Sequence, residues 1–249
     1  MILGARKIFS ILAALILVAA ASLNALATTA VPSDRKDTKA SESASVVAPL
    51  NLAILVQDNL VSRVGNEMKV TRDFIRQLPA GSRVMVGYIT SGTLQVLQPF
   101  TEDLEQAASK LRVPRSSAAL SPYNPYVEVI EALRHFEAEG KNHNAVLLIS
   151  DGLDISHGFD ISSSLHSIDL ERAIREAKRR NVAVYSFFAP SVGLTSQNIT
   201  AVSFGQGALN RLSDETGGRA FFQGNSFVTF DSYFKRLRRT LNDQYGRAY

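Results

Sequence analysis

Two rhythms of apolar and polar positions alternate along the chain from residue 49 onward. Residues 50–58 (LNLAILVQD) form an unbroken apolar run ending in polar residues, the pattern of a strand buried on both faces of a parallel sheet. A helical stripe follows over about residues 66–78, with Val70, Phe74, Ile75 and Leu78 on one face, and Pro79-Ala80-Gly81 ends it. Residues 83–90 and 93–100 read as strands separated only by Ser91-Gly92. A connector that short makes them an antiparallel hairpin and leaves one of them at a sheet edge. Thr101, followed by Glu102 and Asp103, is expected to cap a short helix reaching Leu111.

Residues 112–125 are a Pro/Ser-rich loop. Beyond it Val129, Ala132, Leu133 and Phe136 recur at helical spacing, and residues 144–150 (NAVLLIS) are a second core strand. A polar stretch over 152–167 leads to a helix with Leu170, Ala173, Ile174 and Ala177 on one stripe. A strand at 182–189, a helix near 208–215, a short strand at 219–223 and a helix over about 227–241 complete the order. Strand–helix alternation with one early hairpin predicts an α/β fold. It is a doubly wound, mostly parallel six-stranded sheet with one antiparallel edge strand and helices on both faces.

The N-terminus reads differently. Arg6 and Lys7 precede a 14-residue apolar run ending at Ala21, followed by Ala25-Leu26-Ala27. That order is expected of a signal peptide over residues 1–27, and the run is short of the ~20 residues of a membrane span. Residues 28–48 are polar and Ser/Ala-rich, a flexible linker, and 49–249 form one domain. An exported chain, periplasmic or secreted, without a single cysteine is expected to rely on its packed core rather than on disulfides. The formal charge of +4 falls to +2 without the leader, which weighs against a nucleic-acid partner. No integral membrane segment is expected after leader cleavage.

Doubly wound sheets hold their ligands outside the carboxyl ends of the strands, where the strand order reverses. Asp58 follows LAILVQ and Asp151 follows AVLLIS, so both carboxylates are candidates for such a site. There is no G-x-S-x-G elbow, phosphate-binding loop or H-E-x-x-H pair, and Gly205-Gln206-Gly207 lacks the context of a dinucleotide fingerprint. Asp154, His157 and Asp160 form a spaced run in a Gly/Ser loop and are expected to be solvated. His135, His143 and His166 are scattered. The basic stretch 235–239 reads as the solvent face of the last helix, and Phe227, Phe230 and Phe234 as its core face.

The element order, Ser150-Asp151-Gly152 and Asp58-Asn59-Leu60-Val61-Ser62 together resemble von Willebrand factor A (VWA) domains. The segments LRVP, SPY, SDGLD and GGRAFFQ, with the closing Asp243-Gln244-Tyr245, resemble one exported bacterial subgroup of them. The resemblance implies a metal-ion-dependent adhesion site, with a divalent cation such as Mg²⁺ held by Asp58, Ser62 and Asp151. The pattern departs at Leu60, which stands where a Ser ligand belongs, and no Gly-Thr supplies the usual loop Thr; Ser121 or Asn124 are the stand-ins. Cation dependence is therefore expected to be weak or absent. The function expected is recognition of a protein or peptide partner through the crest, with Ser121, Tyr123, Asn124 and Tyr126 contributing contacts, and no enzymatic activity. A structural subunit of an envelope complex and a metal-assisted hydrolase are the alternatives.

Overall fold

The computed structural model describes residues 49–137, 142–159, 167–222 and 229–245. The expected leader and linker lie outside the described residues, as do Asp160, His166 and Phe227. In chain order the elements are β1 (Leu50–Gln57), α1 (Met68–Arg76), β2 (Arg83–Thr90), β3 (Thr93–Thr101), α2 (Leu104–Ser109), α3 (Tyr126–Leu133), β4 (His143–Ser150), α4 (Ile168–Arg179), β5 (Val182–Phe188), α5 (Leu194–Gln197), α6 (Ile199–Glu215), β6 (Ala220–Phe221) and α7 (Phe230–Tyr245). 3-10 segments of six and three residues precede α1 and α3.

The sheet has six strands in the order β3-β2-β1-β4-β5-β6. Only β3 runs antiparallel, at the edge where the hairpin places it. Each strand sends alternate residues to two separate cores. Leu52, Ile54 and Val56 pack with α1, α2 and α7, while Ala53 and Leu55 pack with α3, α4 and α6. In the first core Phe187 is ringed by Phe221, Phe230, Tyr233 and Phe234, edge-on at 4.9–5.5 Å. The basic face of α7 lies outside this core, with Lys235 paired to Asp231 and Arg236 over the Phe221 ring. Among the described residues no helix is long and apolar enough to cross a membrane.

Element boundaries differ from the sequence reading at several helices. The cap of α2 is Asp103, whose Oδ1 accepts from Gln106 N at 2.8 Å, while the Thr101 hydroxyl accepts from Asp103 N. Helix α6 begins at Ile199, well before the expected 208, because Asn198 Oδ1 caps it by accepting from Thr200 N and Ala201 N. Its interior carries Gly205 and Gly207, poor helix formers that hide the element from a propensity reading. Helix α1 is shorter than expected because residues 62–67 form a 3-10 turn ahead of it.

Candidate functional site

Strand order reverses between β1 and β4, and both candidate carboxylates leave the sheet there. The last paired residues are Val56 and Ile149, so Asp58 and Asp151 follow at the same level on neighbouring strands. Gln57 ties the two ends together. Its Oε1 accepts from Ser150 Oγ at 2.5 Å and from Asp151 N at 3.2 Å, and its Nε2 donates to Asn59 Oδ1 at 2.7 Å.

Asp58 is fully buried and faces two cations. Arg112 meets it with a two-pronged fork, Nη1 to Oδ1 at 2.6 Å and Nη2 to Oδ2 at 2.8 Å. Arg115 adds its backbone N to Oδ1 and its Nε to Oδ2, both at 3.0 Å. Burial alone would raise this carboxyl, but the hydrogen bonds and positive charge of Arg112 and Arg115 outweigh it and hold the group below the ordinary carboxylate value. Arg112 is itself fixed from behind. Its guanidinium lies 3.9 Å from the centre of the Tyr88 ring, and the Tyr88 hydroxyl donates to Arg112 O at 2.5 Å while accepting from Arg112 N. The loop 112–125 is therefore clamped, not free. Ser116 N donates to Asp58 O, Ser91 N donates to Leu120 O, and Ile155 N donates to Tyr123 O at 2.7 Å.

Asp151 is also buried and has only neutral donors. Thr195 Oγ1 donates to its Oδ2 at 3.1 Å and Leu153 N to its Oδ1 at 3.2 Å, with the Ser191 hydroxyl 3.0 Å from that of Thr195. Among the described residues no cation pairs with it. Burial therefore prevails and raises its pKa, against the hydrogen bonds that oppose it. The turn carrying it depends on a close approach of α6. A Cβ on Gly205 would lie 1.9 Å from Asp151 O, and one on Gly152, at φ +66°, would lie 2.6 Å from Gly205 O. Asp151 also lines a cavity of about 220 Å³ between the loops after β4 and β5.

No family model and no curated protein matches the chain. Solved structures do. An aerotolerance-related membrane protein from Bacteroides fragilis NCTC 9343 aligns at TM-score 0.55 with 11% identity, over 78% of this chain and 99% of that one. BatB from Bacteroides thetaiotaomicron aligns at 0.50 with 12% identity, over 78% and 98%. A von Willebrand factor type A structure from Catenulispora acidiphila, of which 43% is covered, aligns over 78% of this chain at 0.49 with 15% identity. The fold is the six-stranded α/β sheet shared with the two Bacteroides structures, the architecture that the resemblance to VWA domains implies.

On this frame the residues expected to ligate a cation do not form a ligand set. A Mg²⁺ or Ca²⁺ ion needs about six or more oxygens around it. A carboxylate offers about four acceptor positions, and those of Asp58 are met by four N–H donors from Arg112 and Arg115. Leu60 supplies no oxygen and is sunk in the first core. Ser62 is exposed at the start of the 3-10 turn. Among the described residues of the crest, the buried atom without a hydrogen-bond partner is Asn59 Nδ2, a donor, which cannot ligate a cation. The residues present do not fit a divalent ion.

The expected partner contacts divide. Tyr123 is 69% exposed and Ser121 lines the cavity beside Asp151. Asn124 and Tyr126, also expected at the interface, face inward instead. Asn124 Oδ1 accepts from Tyr126 N and Val127 N and so caps α3, and the buried Tyr126 hydroxyl donates to Gly152 O at 2.6 Å. Asp154 accepts from Ser156 N and from the Ser167 hydroxyl, a turn cap, with His157 exposed beside it. The sequence reading missed Arg112, Arg115, Gln57, Ser191, Thr195 and Gly205. The only local signal for the first two was a pair of arginines flanking Val-Pro in an otherwise uncharged loop.

Proposed function

We propose that the chain is an exported binding module that takes a protein or peptide partner on its crest without a divalent cation and without catalysing a reaction. The observation that carries this reading is the pairing of Asp58 with Arg112 and Arg115. Two guanidinium groups balance the carboxylate from within, so the crest is charged, rigid and complete before any ion arrives. Beside it stand the exposed Tyr123 and Leu194, side chains of the kind that anchor interfaces. A hydrolytic reading finds less support, since no histidine or lysine lines the cavity at Asp151 to move a proton. The leader-like N-terminus supports export, and the Bacteroides fragilis relative, described as a membrane protein, agrees with an envelope setting.

A photo-crosslinking residue placed at 123 or 194, in the organism that makes the protein, tests this. Specific adducts are expected at both positions and are expected to survive chelation of divalent cations. Adducts formed only from the opposite end of the sheet, for example from position 178, would favour a structural subunit whose crest is idle.

A further inference from the structure

The two crest carboxylates are compensated unequally. Asp58 has two cations within 3.0 Å, whereas Asp151 is 5% exposed, accepts only from hydroxyl and amide donors, and opens on a cavity. We infer that this cavity is a subsite for a single lysine side chain of the partner, its ammonium meeting Asp151 and its aliphatic stem lying between the walls. The inference rests on the crest-binding reading and names the chemistry of what is bound there.

Shape and chemistry agree. The walls are mostly apolar, with Pro122, Leu153, Ile155, Val192 and Leu194, while Ser121 and Ser191 add hydroxyls that accept a hydrogen bond. A lysine stem buries its methylenes against such walls while its head keeps polar partners. The cavity of about 220 Å³ holds its five heavy atoms beyond Cα, each comparable to the ~30 Å³ share of a water molecule. An arginine suits it less. Asp151 already accepts from Leu153 N and Thr195 Oγ1, and the Ser191 and Gln57 side chains also donate toward it, so the open two-oxygen edge that Arg112 meets on Asp58 is absent. An ammonium needs only one remaining acceptor position. A carboxylate-bearing side chain is repelled by Asp151 itself.

Amide NMR of the full chain, titrated with Nα-acetyl-lysine N-methylamide, tests the assignment. Shifts are expected at Leu153, Ile155, Val192 and Gly193, and the norleucine analogue, with a similar stem and no charge, is expected to bind about ten-fold more weakly or worse. Asp151→Asn is expected to weaken the lysine probe by a similar factor. If that variant fails to fold, the lysine–norleucine comparison on the unaltered protein still decides. Equal binding of the two analogues, no shift at these amides, or Mg²⁺ displacing the lysine probe from them would each overturn the subsite. Crosslinks from position 123 in a protein blind to lysine would leave the crest reading standing and remove only this inference. A protein that binds the lysine probe yet crosslinks only from position 178 would remove the crest reading and, with it, a partner's lysine as the occupant of this cavity.

Discussion

Arg112 replaces what a bound cation would supply to Asp58, and it does so through the chain's own loop. Removing one member of a buried pair leaves the other charge stranded, which costs about 3–5 kcal/mol when nothing else compensates. Arg115 stays beside Asp58, so Arg112→Met is expected to lower stability by about 2–4 kcal/mol at neutral pH, read from the urea midpoint. The folded-state pKa of Asp58 lies below its ordinary 3.8, so its contribution is present above that pH and is lost as pH falls further. The gap between wild type and Arg112→Met is therefore expected to narrow in acid. Glu128 on α3 has the opposite sign. Burial lifts it from 4.5 to about 7, and its Oε2 has no hydrogen-bond partner. The folded state holds that proton more tightly than the unfolded chain, so the contribution is full below pH 4.5 and is lost as pH rises through about 7. Thermal unfolding at the two ends of this window should show wild type losing of order 1–2 kcal/mol that Glu128→Gln does not lose, once solvent screening is allowed for.

Among the elements, α6 shows local preference yielding to packing. Gly207 faces open space, and its replacement by Ala only removes backbone freedom from the unfolded chain. Gly207→Ala is expected to raise stability by up to about 1 kcal/mol. Two residues earlier the same change is expected to do the reverse, because the new methyl would sit 1.9 Å from Asp151 O. Gly205→Ala should lower the unfolding midpoint by about 2 kcal/mol or more and shift the amide signals of Asp151 and Gly152. If the two variants changed stability alike, the close approach of α6 to the crest would not be real. The loop 112–125 makes the same point in reverse. Its Pro/Ser composition marks it only as a loop, yet Arg112, Arg115, Ser116, Leu120 and Tyr123 each hold it to a neighbouring strand end or loop.

For the molecule as a whole, a crest that contains its own cations should be indifferent to added ones. Titration calorimetry with Mg²⁺, Mn²⁺ and Ca²⁺ is expected to show no binding heat, and the thermal midpoint is expected not to move on chelation. Leu60→Ser, which restores the hydroxyl of the VWA pattern, is expected to gain no cation affinity. It should instead lose about 2–5 kcal/mol, because Leu60 fills the core at that point. The sequence by itself determined the sheet. Unbroken apolar runs at β1, β4 and β5 admit only strands buried on both faces, and a two-residue connector leaves β2 and β3 no alternative to a hairpin. It also placed Asp58 and Asp151 at the strand ends, because each directly follows an apolar run. What it did not determine was which residues each carboxylate meets. Arg112 is 54 residues from Asp58, and Thr195 is 44 residues from Asp151. Such partners are chosen by how loops fold back over the sheet, and burial then decides the charge of each group. Only the tertiary structure could show that one crest carboxylate is already matched by arginines, while the other borders a cavity with no counter-ion among the described residues.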